Sequence, residues 1–296
     1  MHWHLLGLGA LGTLWADRLL TAGLQVSAIT RSADISTQVE RRLHWQGEGK
    51  TLQLPRFNPE HTAPTQTPLI THLLVVTKSY DTLSAFDSVA TWLSPEAEVV
   101  FLHNGIGPQL EIAQRRPDLN LWVGTTTAAA YRDPEGEVYG ISLGETELAR
   151  WPGGSLALPA SWDKVVPPIT PSDQPLRVLW KKLAINAVIN PMTALLQCRN
   201  GELLSTDTRR QQLQQLCSEI EKLAQALDIP LFSEPLYTCV CRVAQATAGN
   251  YSSMCMDTRL NQTTEIEAIT GYVCRQAQAL GLVLPGHQAL WEALQR

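Results

Sequence analysis

The chain has 296 residues, 44% hydrophobic and 17% charged, which exceeds one ordinary domain of about 100–200 residues and supplies enough apolar side chains for two packed cores. Its 23 basic and 28 acidic residues leave a net charge of −5, offering no broad attraction for nucleic acid or anionic lipid, so neither nucleic acid nor membrane is expected as a partner. The early apolar stretch "LLGLGALGTLWADRLL" is interrupted by Asp17 and Arg18 short of the roughly 20 residues of a membrane span, and it lacks the basic flank and cleavage site of a signal peptide.

Residues 3–6 form a short apolar run, a predicted strand. A glycine turn follows, then a helical pattern through Leu24, then "QVSAIT" as a second strand. "THLLVVTK" and "EVVFLHN" are two further apolar strands, with the helical stretch "SYDTLSAFDSVATWL" between them. Apolar strands alternating with helices predict a parallel sheet covered on both faces. From Leu121 the β-rich arms around Asp133-Pro134-Glu135-Gly136 predict a hairpin. Residues 151–175 are rich in proline and glycine and read as a linker. Beyond them strand signals nearly vanish, and Pro191, Pro230, Pro235 and Pro285 punctuate successive helices. The expected fold is α/β: an N-terminal Rossmann-type parallel-sheet domain over residues 1–170, then an all-helical domain over 171–296.

All six cysteines lie in the last third without metal-ligand spacing, apart from the short Cys239-x-Cys241 pair. They read as buried free thiols of a reducing cytoplasm, with no metal expected. The seven histidines are scattered and receive no role.

Gly7-Leu8-Gly9-Ala10-Leu11-Gly12 sits between the first predicted strand and helix, the context in which G-x-G-x-x-G binds a dinucleotide. The first glycine permits the tight turn, the second lets a pyrophosphate approach the backbone, and the third lets helix and strand pack closely. The plainer reading is a glycine-rich turn without a ligand. After the second strand, where an NAD-binding chain would place an acid, stand Thr30 and Arg31. A guanidinium there attracts a 2′-phosphate, which favours NADPH over NADH; the alternative is a solvated surface arginine. Lys78 and Asn104 follow two apolar runs directly, at the strand ends where open parallel sheets bind ligands, although both residue types are also common in turns.

In "WKKLAINAVINP", Lys182, Asn186 and Asn190 recur every four residues and fall within roughly 80° of one another on a helix. Such a stripe is either a solvent face or one wall of a wet crevice. Further on, Ser252, Ser253 and Glu265 precede a predicted helix that Thr263 or Thr264 can cap. A lysine facing a cleft can protonate a developing alkoxide, and a neighbouring carboxylate would orient it and keep it charged. Amides and a serine hydroxyl can hold a substrate carboxylate or hydroxyl. Glu265 can equally be a helix N-terminal acid acting on the dipole.

"GLGALG", "TR" at 30–31, "TKSYDT", "HNGIG", "WKKLAINAVINPMTALLQCRNGEL" and "SSMCMDTRLNQTTEIEAITGY" together resemble the ketopantoate reductase family over nearly the whole chain. The resemblance implies NADPH-dependent reduction of 2-dehydropantoate, or of a related small 2-oxo acid, in the cytoplasm, in a cleft between a Rossmann and a helical domain. It implies Lys182 as general acid with Glu265 as its partner, and Asn104, Asn186, Asn190 and Ser253 as substrate ligands. Gly7, Gly9 and Gly12 would cradle the pyrophosphate, Arg31 and Lys78 would address the 2′-phosphate end, and Asn104 would also border the cofactor. The chain departs from the family's common pattern at Glu267 and Thr270, where a shorter acid and an asparagine are frequent. Other readings are a dehydrogenase of related two-domain build, or an NADP-sensing protein without catalysis. The sequence does not distinguish monomer from homodimer.

Overall fold

Trp3 and Leu5 turn to one face of the first strand and Leu6 to the other, and both faces are buried, which is why the run reads as continuously apolar. In the computed structural model, residues 1–30, 36–59 and 70–295 are described. They fall into two compact units, Met1–His103 with Pro108–Val178, and Asn104–Gly107 with Leu179–Arg296.

The first unit contains β1 (His2–Leu6), α1 (Ala10–Thr21), β2 (Gln25–Ile29), β3 (Gln38–Trp45), β4 (Glu48–Phe57), β5 (Ile70–Val75), α2 (Ser79–Val89), β6 (Leu93–Phe101), α3 (Pro108–Arg115), β7 (Asn120–Thr126), β8 (Ala129–Arg132), β9 (Val138–Ser142), β10 (Thr146–Arg150) and β11 (Ile169–Ser172). These strands form one sheet in the order β11-β10-β7-β6-β5-β1-β2-β4-β3-β9-β8. From β7 through β2 all pairings are parallel. The chain leaves β1 through α1 to β2 on one side and later returns to β5 on the other, so the connection reverses between β1 and β5. That switch point is where such sheets bind ligands, beyond the carboxyl ends of the strands. One face packs Trp15, Ala16 and Leu19 of α1. The opposite face packs Ala85, Phe86 and Val89 of α2 with Ile112 and Ala113 of α3. Fold class is therefore α/β with a Rossmann-type parallel core, as the alternation of runs predicts.

Three features differ from the sequence reading or add to it. β3 and β4 form a long antiparallel hairpin, turning at Gln46-Gly47, both at positive φ. The predicted hairpin around 133–136 forms as β8 and β9, but the arm starting at Leu121 belongs to β7 of the parallel sheet. Residues 151–175 are not a linker: Trp162, Val165 and Ile169 join the core beside Trp3 and Trp15, and β11 lies within the segment. Arg18 secures it. Its Nε and Nη2 donate to the carbonyls of Val166 and Pro167 at 3.2 and 3.0 Å, while its guanidinium lies 4.1 Å from the Trp15 ring centroid.

The second unit is helical, and among the described residues no strand follows Ser172. α4 (Pro175–Leu196) crosses the division between Val178 and Leu179 and is followed by α5 (Asp207–Ala226), α6 (Leu236–Ala246), α7 (Ser253–Arg259), a π-turn at Glu267–Gly271, α8 (Tyr272–Ala279) and α9 (Pro285–Leu294). Its interior includes Leu183, Val188, Leu213, Ile220, Val240, Ile269 and Val273. All six cysteines are free, five of them buried. No described helix is long and apolar enough to cross a membrane.

Glu219 of α5 acts as the N-terminal cap of α9. It accepts from the backbone N–H groups of Gly286 and His287 at 2.8 and 3.0 Å, and His287 Nδ1 lies 2.8 Å from its Oε2. Burial alone would raise this carboxyl, but the His287 ring and the two N–H groups outweigh it and hold it down to about 2. A carboxyl depressed in the fold stabilises above its unfolded value of 4.5 and loses that contribution as pH falls toward 2. Glu219→Gln is expected to destabilise the protein by about 1–3 kcal/mol at neutral pH. In urea melts run from pH 7 to pH 2, the variant should lose less stability below pH 4.5 than wild type; parallel pH curves would contradict this.

Candidate active site

α4 is apolar around most of its circumference: Leu179, Trp180, Leu183, Ala184, Ala187, Val188 and Ile189 are all buried. The polar stripe is thus not the water-facing side of an ordinary amphipathic helix. Lys182 and Asn186 retain partial exposure, and Asn190 is 7% exposed. A polar amide that deep marks the stripe as a wall within the unit.

Glu265 is brought to this wall from a segment some eighty residues further along the chain. Thr264 Oγ1 accepts from Ile266 N at 3.4 Å, a short turn that leads into the helix. Glu265 itself is 4% exposed, so water cannot solvate its carboxylate and the protein must. Asn104 Nδ2 donates to its Oε2 at 3.0 Å. Lys182 feels the same carboxylate: burial pushes its amine down to about 8, while the charge of Glu265 pulls it upward. A lysine poised there carries a transferable proton at neutral pH, and an amine with a fixed anionic neighbour has a defined orientation.

The Asn104 contact depends on a backbone fit. Asn104–Gly107 leaves the end of β6 and packs in the helical unit, where Ile106 N donates to Ala268 O at 2.9 Å. Gly105 has φ +79°, and a Cβ there would lie 2.6 Å from both the Cβ and the carbonyl oxygen of Ala268. Only glycine permits this approach.

Ser253 is the exposed first residue of α7. It is placed by its neighbour: Ser252 caps α7 through Cys255 N at 3.1 Å and pairs with Thr193 Oγ1 of α4 at 2.7 Å. Thr193 also donates to the Ile189 and Asn190 carbonyls at 3.0 Å, tying the end of the stripe to α7. The sequence reading missed Thr193; its only signal is a hydroxyl one turn beyond Asn190. Asn104 is hydrogen-bonded to Glu265 and Lys182 feels its charge, while Asn186 and Asn190 share α4 with Lys182 and Ser253 stands at the start of α7.

The glycine loop belongs to the sheet unit. Gly7 has φ +106°, and a Cβ there would lie 2.7 Å from the Thr77 backbone nitrogen, while a Cβ on Gly12 would lie 2.0 Å from the Gly7 carbonyl oxygen. Loop, strand and helix therefore close only around bare backbone. Gly9 has open space where a Cβ would stand. It caps α1 without a side-chain hydrogen bond, and α1 has no acid in its first turn, so the amides beyond Leu8, at Ala10, Leu11 and Gly12, begin a helix end uncapped by any side chain. Open space at Gly9, a helix start without a side-chain cap and no competing carboxylate fit a dinucleotide pyrophosphate. Lys78 is the N-cap residue of α2 after β5, at the same switch point. Asn104 belongs to the helical unit, so the two expected strand-end residues fall in different units. Arg31 lies outside the described residues. Among the described residues, no cluster of His, Cys, Asp and Glu could hold a metal ion.

Of the two departures, Glu267 is exposed and Thr270 is buried. Glu267 is engaged by Arg275, Trp291 and Gln295, and Thr270 is fully buried.

Comparison with known proteins gives a consistent picture. The family described as Ketopantoate reductase PanE/ApbA matches residues 3–153, and its C-terminal counterpart, Ketopantoate reductase PanE/ApbA C terminal, matches residues 176–296. A 2-dehydropantoate 2-reductase of Yersinia pestis is 31% identical over 299 aligned residues, covering 98% of this chain and 93% of that protein. Among solved structures, a ternary complex of D-mandelate dehydrogenase with NADH and anilino(oxo)acetate superposes with a TM-score of 0.88 at 22% identity, covering 100% of this chain and 97% of that one. A 2-dehydropantoate 2-reductase from Geobacter metallireducens gives 0.87 at 20% identity, with coverages of 100% and 99%.

Replacing Glu265 by glutamine removes the anion that favours the Lys182 ammonium. The Lys182 titration is expected to move below about 8, read by NMR of isotopically labelled lysine side chains assigned with Lys182→Arg. An unmoved titration would separate the two groups.

Proposed function

The chain belongs to the ketopantoate reductase PanE/ApbA family, and on that premise we propose that it reduces 2-dehydropantoate to pantoate with NADPH, in pantothenate biosynthesis in the cytoplasm. The observation that carries the reading is the buried Glu265 carboxylate, held by Asn104 and acting on the Lys182 amine.

NADPH, when bound, supplies the hydride. The residues of this chain do the rest. Lys182, protonated, faces the keto oxygen and gives up its proton as negative charge develops there. Glu265 keeps that ammonium charged and aimed, and it accepts a hydrogen bond from the substrate hydroxyl. Asn186, Asn190 and Ser253 hold the carboxylate and hydroxyl of the substrate by neutral donors, and Asn104 shares its amide between Glu265 and the ligands. Gly7, Gly9 and Gly12, with the N–H groups of α1, receive the pyrophosphate. Arg31 and Lys78 take the 2′-phosphate, with no acid at position 30 or 31 to repel it.

Lys182→Ala is expected to lower kcat for 2-dehydropantoate by at least about 100-fold, with the Kd for NADPH little changed. Because the acid must carry its proton, kcat/KM for reduction should fall as pH rises through about 8. Equal rates in both proteins, measured by NADPH absorbance across a panel of 2-oxo acids, would remove Lys182 from the mechanism. Arg31→Asp is expected to raise the KM for NADPH and shift preference toward NADH; an unchanged KM would overturn the 2′-phosphate assignment.

A further inference from the structure

The π-turn at Glu267–Gly271 stands directly after Glu265 and before α8. One extra residue in a helical turn rotates everything before it by about 100° relative to the regular helix beyond. Relaxation of this turn to ordinary α-helix would therefore swing Glu265 away from its present direction. Single π-turns are poorly favoured by themselves, so something must hold this one.

Two sets of contacts do. On one side, the turn's Ala268 carbonyl accepts from Ile106 N, and Gly105 packs on Ala268 without a Cβ, so the segment that carries Asn104 is registered on the turn. On the other side, Glu267 gathers donors from α8 and α9. Its Oε1 accepts from Trp291 Nε1 at 2.9 Å and Gln295 Nε2 at 2.7 Å, and its Oε2 accepts from Arg275 Nη1 at 3.0 Å. Arg275 Nη2 also donates to the Glu267 backbone carbonyl at 2.9 Å, gripping side chain and main chain of one residue together.

We infer that Glu267 is a positioning residue: by holding Arg275, Trp291 and Gln295 it fixes the π-turn on which the Asn104–Gly107 segment registers, and so sets where Glu265 stands relative to the Lys182 amine. The inference rests on the roles proposed above for Lys182 and Glu265. Glu267 itself touches neither. Its side chain is 55% exposed, so its ion pair with Arg275 adds little to stability, and its effect is one of geometry. Neighbours also agree on its charge: burial would raise its carboxyl, but Trp291, Gln295 and Arg275 together hold it below the ordinary value.

Glu267→Ala tests this. As Glu265 swings away, the anion that pulls the Lys182 amine upward recedes, so the Lys182 titration moves below about 8 and the alkaline limb of kcat/KM moves to lower pH with it. We expect kcat to fall about 10-fold, with the Kd for NADPH within about 2-fold of wild type and the melting temperature little changed. A purely structural role would lower the melting temperature and leave both the lysine titration and the alkaline limb in place; that result overturns the inference. Should Glu267→Ala fail to fold, Glu267→Gln, which keeps an acceptor for Trp291, and Gln295→Ala, which removes one donor at an exposed site, are expected to move the titration in the same direction. The NMR titration needs no substrate. A wild-type protein that reduced no 2-oxo acid would defeat the proposed function and still leave the titration to decide the case of Glu267.

Discussion

A carboxylate with 4% of its surface left to water is tolerable only where the protein replaces the lost hydration, and much of the helical unit is arranged around doing that for Glu265. A buried ion pair is often no more stabilising than apolar residues of the same volume, but removing one partner strands the other charge at a cost of about 3–5 kcal/mol, so the groups around it are mutually dependent. Asn104 supplies an amide N–H, and Lys182 supplies the opposite charge. To deliver that amide, four residues depart from the end of β6 and pack among helices whose sequence lies far downstream. The departure explains the glycine at 105: a side chain there would collide with Ala268, and the Ile106–Ala268 hydrogen bond could not form.

The sheet unit follows a different rule, close approach of bare backbone. Gly7 and Gly12 allow the loop after β1 to fold against the end of β5 and the start of α1, at the switch point between β1 and β5. The N–H groups at the start of α1 have no side-chain cap because the N-cap residue is Gly9, which has no side chain to give one. Arg18 then fastens the far end of the same helix to the 166–167 carbonyls, so the loop stands on an element anchored at the other end by a buried cation over tryptophan.

How much of this could be read from the sequence depended on whether a residue's role is local. Strands buried on both faces announce themselves as apolar runs, which made β1, β2, β5 and β6 legible. β3 and β4 bury only alternate positions, such as Val39 and Leu43 or Leu52 and Leu54, among exposed charges, and the run does not look apolar. Their signal was the Gln46-Gly47 turn. The proline and glycine of 151–175 resembled a linker because composition does not reveal that Trp162 stacks on Trp15. At the site, the Lys182, Asn186 and Asn190 stripe was visible because helical period is local. The Asn104–Glu265 bond joins residues 161 apart, and no spacing rule predicts it; only the resemblance brought both names together.

The two departures from the family pattern show the same division between residue type and place. The acid at 267 follows Glu265 by two positions, and spacing alone does not say what it reaches. Its side chain reaches Trp291 on α9 and Gln295 just past the end of that helix, and a shorter acid at the same backbone position would have to give up part of that span. Thr270, in the π-turn itself, is buried completely. What keeps the turn wound must come from its two flanks, the glycine-bearing segment on one side and the Glu267 clasp on the other, and this is why a change remote from the reacting atoms can still govern the direction in which Glu265 points.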